Sequence, residues 1–488
     1  MSELTDKPDK TLLYINIAIV LAMSLRIHGI QYESAWGDEV VTLQYLPATD
    51  FKTFMDGIWT SDPHGPLTPV FHGLAYAWSK LAGGTLLPMR MLPLLLSFAA
   101  LPLIYLVGKK LFGTRAGLIA LYLTAVNPLL IYYSQELRFY ALVILCALLS
   151  LLSLLHALEK NSKGAWILHC CANALFISTH AFTPILFGVE GLYLLYKKGR
   201  NLRAPILWGA FHLLLVAGLG LRMALRDYDL GTQSLVFNDA LPTWREFGNT
   251  ILVFTGARFA REDPVQWMPG GLSFDRIIGV LALLIVGLGA FQAHRKRKEN
   301  PKIRDGYVLG VLWLVFPLVF LYAVSFIWRP VFYYRYILYA ALAFPWLLGA
   351  ALATIHPKGL RIGATVLFLT LMTYQTLALP RPFRADYQTL AHHIAQDLAP
   401  IVLVLKEFNH QGATYAIDLP DENIILHHGF GELCDEARTR AKAGETVWVV
   451  FYRWIKLDEF QNAITDCTTT RHDYAGMPGL NAYRVVGD

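Results

Sequence analysis

The adjacent carboxylates Asp38 and Glu39 stand in the stretch ESAWGDEVVTLQYL (33–46), directly after the first long apolar run of the chain, 12–30. An acidic pair in such surroundings costs solvation unless it faces water, a metal or a cationic partner, so it marks a candidate site. A plainer role also exists, since Gly37-Asp38 can start an interfacial helix. The other residues able to do chemistry are His64, the turn Ser134-Gln135-Glu136-Leu137-Arg138 with Tyr140 just beyond it, and then His180, Arg329, Arg335 and Tyr336. A carboxylate can take the proton of an attacking hydroxyl, and a guanidinium can hold a phosphate through two parallel hydrogen bonds. Asp38 is the base candidate with Glu39 beside it, and Arg138 and Arg335 are the phosphate ligands. Asp38 and Glu136 could in addition hold a divalent metal cation between them, which two carboxylates permit without demanding.

Positioning these groups falls to an apolar chain. Of 488 residues, 55% are hydrophobic and 16% charged, a departure from the soluble average toward a membrane protein. The apolar residues gather into runs of about 17 to 22, each long enough as a helix to cross roughly 30 Å of hydrocarbon. About eleven transmembrane helices are expected, near 11–29, 88–107, 116–132, 139–157, 165–179, 182–196, 205–223, 276–293, 307–327, 333–354 and 360–379. Basic clusters at Lys109-Lys110 with Arg115, Lys160 with Lys163, Lys197-Lys198, Arg295 to Lys298 and Lys358 with Arg361 fall in alternate connections, so the positive-inside rule puts the amino terminus in the cytoplasm. The net charge of +6 is then a topology signal, and nucleic acid is excluded as a partner. On this topology Asp38, Glu39, His64, Glu136, Arg138, His180, Arg329 and Arg335 all emerge on the extracytoplasmic side, with outer loops at 30–87 and 224–275. The first apolar run has the length of a full span and no small-residue cleavage pattern after it, so it is expected to be a retained helix in place of a signal peptide.

After Pro380 the texture turns polar. Helical spacing over 387–398, 432–443 and 457–464 alternates with strand-like runs at 401–405, 446–452 and 482–486, which predicts a small extracytoplasmic α/β domain over 381–488 behind a membrane module over 1–380. Cys146, Cys170 and Cys171 lie in predicted spans. Cys434 and Cys467 fall in the outer domain and are expected to pair, because that compartment is oxidising.

Carboxylates and arginines at the outer headgroup level suit one reaction in particular, the transfer of a sugar from a lipid-linked phosphate to a hydroxyl. Direct displacement at the anomeric carbon would invert it, and a phosphate is a weak enough base to leave without a general acid. The segments ESAWGDEVVTLQY, SDPHGPLTPVFHGLAYAWSKLAG and RMLPLLLSFAALPLIYLVGKKLFGTRAGLIALYLTAVNPLLIYYSQELRFYALVI together resemble the amino-terminal half of the GT-C membrane glycosyltransferases. Within that superfamily the likeness is to the branch of protein O-mannosyltransferases and lipid A aminoarabinose transferases. It covers about 10–200 well and 300–350 weakly, where FYYRYILY is similar to a later motif. The resemblance implies that Asp38 is the catalytic carboxylate, that Glu136 is the second acidic position, a metal ligand in some relatives, and that the donor is a polyprenyl-phosphate sugar. His64 stands in His-Gly-Pro where many relatives have His-Pro-Pro. The expected substrate and lipid-phosphate-binding set is His64, Arg138, Tyr140, His180, Arg335 and Tyr336, although Tyr333, Tyr334, Tyr336 and Tyr339 also fit an interfacial aromatic belt. The expected setting is the plasma membrane, the inner membrane of a bacterium, and the acceptor (lipid A, protein, glycan or another lipid) is unidentified. The rival reading is a secondary transporter or lipid flippase, which predicts paired halves with broken helices at mid-depth, and the sequence shows no such repeat.

Overall fold

The structure, a computed structural model, describes residues 10–31, 33–35, 37–61, 65–199, 203–224, 241–256, 274–377, 387–397, 399–405, 417, 419–427, 430–452, 471–473 and 480–485. Most of them are helical. In chain order come α1 (Thr11–Ile27), α2 (Gly37–Leu43), α3 (Phe51–Ser61), α4 (Pro69–Ala82), α5 (Leu86–Phe112), α6 (Thr114–Ala125), α7 (Pro128–Ser134), α8 (Tyr140–Lys160), α9 (Lys163–Ile177), α10 (Pro184–Lys198), α11 (Arg203–Ala224), α12 (Trp244–Phe254), α13 (Phe274–Arg295), α14 (Pro301–Ile327), α15 (Ala343–Ala353) and α16 (Lys358–Leu377). Each of the eleven predicted spans falls on one or two of these helices. By length and composition six helical stretches among the described residues could cross a membrane, and a seventh arises if the bent pair α6–α7 is one span, while Thr11–Ile27 and Pro205–Leu221 are shorter apolar helices.

Two predicted spans are not continuous α-helices, and the second irregularity contains Arg335 and Tyr336. The expected span 116–132 breaks by 61° between α6 and α7. Asn127 and Pro128 explain the bend: the Asn127 carboxamide oxygen accepts from Leu130 N at 3.2 Å as an N-cap, and Pro128 takes the first helical position, where its missing N–H costs nothing. The carbonyls left over at the end of α6 are taken by the buried Arg26, whose guanidinium donates to Thr124 O and Ala125 O at 3.2 and 2.9 Å, and by the Thr376 hydroxyl, which donates to Val126 O at 3.2 Å. The expected span 333–354 begins as a 3-10 stretch, Tyr334–Leu342, before becoming α15. Trp313 Nε1 donates to Tyr339 O at 2.8 Å, so a carbonyl of this tight turn is satisfied from α14.

The bundle packs closely where glycines allow it. A Cβ on Gly108 of α5 would sit 2.8 Å from Gly117 Cα of α6, one on Gly117 would meet Lys109 N at 2.8 Å, and one on Gly349 of α15 would meet Ala116 O at 2.8 Å. These are backbone contacts, the small-residue packing that joins helices in lipid.

Beyond the bundle lie α17 (Tyr387–Ile394), β1 (Ile401–Leu405), β2 (Ile424–His427), α18 (Phe430–Lys442), β3 (Val447–Tyr452), β4 (Arg471–Asp473) and β5 (Leu480–Val485). The sheet order is β2-β1-β3-β5-β4, with β1 parallel to β2 and β3, and β5 antiparallel to β3 and β4. Alternation along the strands builds two apolar layers: Val402, Val404, Trp448 and Val450 pack with Leu390 and Ile394 of α17, while Leu403, Val447 and Val449 pack with Leu433, Ala437 and Ala441 of α18. Asp397 ties α17 to the sheet by pairing with Arg484 at 2.6 Å and accepting from Trp448 Nε1 at 2.9 Å. Strands β2 and β4 were not expected from the sequence, and the helix expected over 457–464 lies outside the described residues. Cys434 is in a disulfide, whereas Cys146, Cys170 and Cys171 are free thiols; Cys467, its expected partner, lies outside the described residues.

The glycine contacts predict opposite responses to one methyl group. Gly117→Ala should lower the melting temperature in detergent by an overpacking cost of about 1–3 kcal/mol, whereas Gly209→Ala, where the added Cβ meets nothing within 4 Å, should leave it unchanged or raise it slightly through helix propensity. Equal melting temperatures for the two variants would contradict the close approach of α5 and α6.

Candidate active site

The candidate groups are carried by the irregular joints at one end of the bundle. Asp38 lies in the first turn of the short helix α2. Glu136 and Arg138 lie in the turn between α7 and α8, His180 in the turn between α9 and α10, and Arg335 and Tyr336 in the 3-10 stretch before α15. The basic termini Lys109-Lys110 of α5, Lys160 of α8 and Lys197-Lys198 of α10 are at the opposite ends of helices that begin near these joints.

The Asp38 carboxylate brings the set together. Its Oδ2 is 3.8 Å from Arg335 Nη1 and 4.0 Å from Arg138 Nε, and Arg138 Nη1 also donates to the Asp38 carbonyl at 3.1 Å. The two guanidinium groups are buried, while the Asp38 side chain keeps 17% of its surface open. Tyr140, at the start of α8, is within electrostatic reach of Asp38, Glu136, Arg138 and Arg335 together, so all five groups share one neighbourhood. One wall is aromatic: His180 lies 4.6 Å from the Phe139 ring and 5.8 Å from Tyr336, Phe182 stacks on Tyr336 at 4.7 Å, and the Arg138 and Arg335 guanidiniums lie 5.0 and 4.9 Å from Phe139 and Tyr333. Thus Asp38, Arg138, Tyr140, His180, Arg335 and Tyr336 converge, with Glu136 beside them. His64 lies outside the described residues.

Glu39 faces the other way. Its carboxylate is fully buried and pairs with Arg90 of α5 in a fork, Oε1 accepting from Nε at 2.9 Å and Oε2 from Nη2 at 2.6 Å. Oε1 also accepts from Leu137 N at 2.8 Å. The remaining reach of Arg90 goes to carbonyls of the segment before α2: Ile30 at 3.0 Å, Glu33 at 2.8 Å and Ser34 at 3.0 Å. One ion pair therefore holds the segment that leads into Asp38 and the turn that carries Arg138. Gln135 completes the clamp by donating to Arg26 O and His28 O at 2.7 and 2.8 Å, at the end of α1. Arg90 was not singled out from the sequence. Its signal is a lone charge near the start of a predicted span, and Arg26 carries the same signal within the first one.

A cation between Asp38 and Glu136 would share the Asp38 carboxylate with two guanidinium groups at 3.8 and 4.0 Å. Among the described residues, the three metal-type ligands that lie within 4.8 Å of one another are His169, Glu190 and His212, elsewhere in the bundle.

The fold has known counterparts. Residues 64–219 match the family described as dolichyl-phosphate-mannose-protein mannosyltransferase. ArnT from Cupriavidus metallidurans superposes in its apo state with a TM-score of 0.58 at 11% identity, over 97% of both chains. The same enzyme bound to undecaprenyl phosphate gives 0.57 at 12% identity, again over 97% of each chain. The chain shares the fold of this protein. The archaeal oligosaccharyltransferase AglB from Archaeoglobus fulgidus in complex with an inhibitory peptide and a dolichol-phosphate matches with a TM-score of 0.54 at 10% identity, over 97% of this chain and 74% of its own. No curated protein sequence matches the chain significantly.

The adjacent carboxylates Asp38 and Glu39 thus stand in unlike settings, and they should respond differently to removal of charge. Glu39→Gln leaves Arg90 buried without its counter-charge and should cost about 3–5 kcal/mol, seen as a large fall in melting temperature in detergent. Asp38→Asn, on a partly open side chain, should change it far less. A Glu39→Gln protein as stable as the parent would show that the Arg90 pair does not hold the site.

Proposed function

We propose that the protein is an inverting glycosyltransferase that moves a sugar from a polyprenyl-phosphate donor to an acceptor hydroxyl on the extracytoplasmic face of the membrane. The observation that carries this reading is the placement of one partly open carboxylate, Asp38, within 4.0 Å of two buried guanidinium groups that come from distant parts of the chain. The acceptor O–H gives its proton to Asp38 as its oxygen bonds to the anomeric carbon. The bond from that carbon to the phosphate oxygen breaks on the opposite face, and the phosphate leaves with the electron pair. Arg138 and Arg335 receive the phosphate, and their buried positions strengthen that attraction by excluding water. Tyr140, His180 and Tyr336 line the space, and Glu136 adjusts its charge. Glu39, locked to Arg90, acts as a positioning residue. No step needs a metal at this site, because the arginines supply the positive charge.

The GT-C relatives solved with undecaprenyl phosphate and dolichol-phosphate support a polyprenyl carrier. The outward orientation is supported by the basic helix ends lying opposite the site and by the disulfide of Cys434, a bond at home in an oxidising compartment. Residues 1–380 then form the membrane module with loops 30–87 and 224–275, and 381–488 the outer α/β domain beside the acceptor. The setting is the plasma membrane, with a cytoplasmic amino terminus.

Purified protein supplied with a radiolabelled polyprenyl-phosphate sugar should release polyprenyl phosphate when an acceptor extract from the cell envelope is added. Asp38→Asn should lower this rate by about 10²- to 10⁴-fold, the usual contribution of a general base, with the fold intact. Arg335→Lys keeps the charge but loses the fork geometry, and should weaken donor use about tenfold or more. A transporter or flippase would instead move the lipid without cleaving it, and an Asp38→Asn protein with parental turnover would remove Asp38 from the mechanism.

A further inference from the structure

Midway along four helices lies a second buried polar cluster, which the transfer reaction does not use. It consists of Ser150 and Ser153 of α8, His169 and Asn173 of α9, Glu190 of α10, and Trp208 and His212 of α11. Helices α8, α9 and α10 supply these residues from their interiors, and α11 from its first half. Polar groups at such depth are costly, so their convergence needs a cause.

The hydrogen bonds set both histidine tautomers. His212 Nδ1 faces the Trp208 carbonyl at 2.7 Å, which can only accept, so Nδ1 carries the proton and Nε2 is a bare lone pair. The Ser153 hydroxyl donates to Ser150 O at 2.7 Å and therefore accepts from His169 Nδ1 at 3.1 Å, which leaves His169 Nε2 unprotonated, an acceptor. One ring nitrogen of each histidine and a Glu190 carboxylate oxygen lie within 4.8 Å of one another. Imidazoles oriented through Nδ1 with Nε2 presented to a shared point are the outer support that metal-bound histidines have.

The point they share lacks positive charge. Asn173 Nδ2 occupies it, 2.8 Å from Glu190 Oε2, 2.7 Å from His212 Nε2 and 3.4 Å from His169 Nε2, so an amide with two protons faces three acceptors. His169 Nε2 also accepts a hydrogen bond from Trp208 Nε1 at 3.0 Å, one that a bound ion would displace. Glu190 is fully buried, and among the described residues no Lys or Arg lies within ion-pair distance of it, its one such contact being His169 at 3.6 Å. A carboxyl group buried in hydrocarbon can hold its charge only beside a cation, and in this cluster its other partners are the neutral groups of Ser150 and Asn173.

We propose that His169, Glu190 and His212 bind a divalent transition-metal ion, zinc by ligand type, as a clamp joining α9, α10 and α11. Two imidazole nitrogens and one carboxylate oxygen form a His₂Glu set. The amide of Asn173, turned about its own axis, offers Oδ1 as a fourth ligand where Nδ2 now stands. The 3.6 Å between His169 Nε2 and Glu190 Oε2 is near the edge of about 3.3 Å that a tetrahedron with metal–ligand bonds of roughly 2.0–2.1 Å requires.

Tag-free protein purified from zinc-supplied cells without chelator should contain about one zinc per chain by plasma mass spectrometry, and X-ray absorption at the zinc edge should show imidazole nitrogen and carboxylate oxygen without sulfur. Protein made with cobalt should show the visible bands of a tetrahedral Co²⁺ site. Glu190→Gln and His212→Ala should each lose most of the metal, while Glu136→Gln, at the transfer site, should keep it. Wild-type protein without stoichiometric metal from either medium overturns the proposal, and this holds even if the cluster variants fail to fold. Metal retained by Glu190→Gln and His212→Ala but lost from Glu136→Gln also overturns it, placing the ion at the transfer site.

Discussion

The ion pair between Glu39 and Arg90 is the contact on which the rest of the site depends. Both groups are buried. Their fork closes three segments that are far apart in sequence, because Arg90 collects the carbonyls of Ile30, Glu33 and Ser34 while Glu39 holds the amide of Leu137. A buried pair of this kind gives little net stability compared with an apolar substitute, yet removing one partner is severe because the other charge stays buried. Its value here is geometric. It fixes where the helix α2 begins, and with it the direction of Asp38, relative to the turn that supplies Arg138.

The same economy of polar groups runs through the bundle. Where a helix must end inside apolar surroundings, a side chain from elsewhere takes the orphaned carbonyls: Arg26 and Thr376 at the α6–α7 break, Gln135 at the end of α1, Trp313 at the 3-10 stretch. The 3-10 stretch itself carries Arg335 and Tyr336, and the other two lie shortly before the segments that carry Asp38, Glu136 and Arg138. Irregular backbone is thus confined to places where neighbouring side chains satisfy it and where function needs a side chain aimed away from a helix axis. The helices themselves close against one another through Gly108, Gly117 and Gly349, so the broken segments are mounted on a tightly packed frame.

Much of this was legible from residue types and position alone. Asp38, Arg138, His180 and Arg335 stood out because charges at the ends of apolar runs are few, and a common face could be assigned from the basic loops before any fold was known. The division of labour within Asp38-Glu39 was not legible, since the partner of Glu39 lies 51 positions away inside an apolar run. Nor was the cluster of His169, Glu190 and His212, each of which is a lone polar residue within its own helix and acquires meaning only when three helices meet. The Asn127-Pro128 pair did announce a helix break, but an apolar window of span length concealed it. In the carboxyl-terminal region the longer strands showed their alternation, whereas β2 and β4, of four and three residues, are too short to carry a period.

The central claim is spatial: donor phosphate between two arginines, acceptor proton at Asp38. The most direct measurement is a structure of the Asp38→Asn protein with an intact polyprenyl-phosphate sugar bound. The account predicts the phosphate in contact with both Arg138 and Arg335, with the anomeric carbon turned toward position 38. A phosphate seated away from the two arginines, or a sugar on the far side of them from position 38, would contradict it.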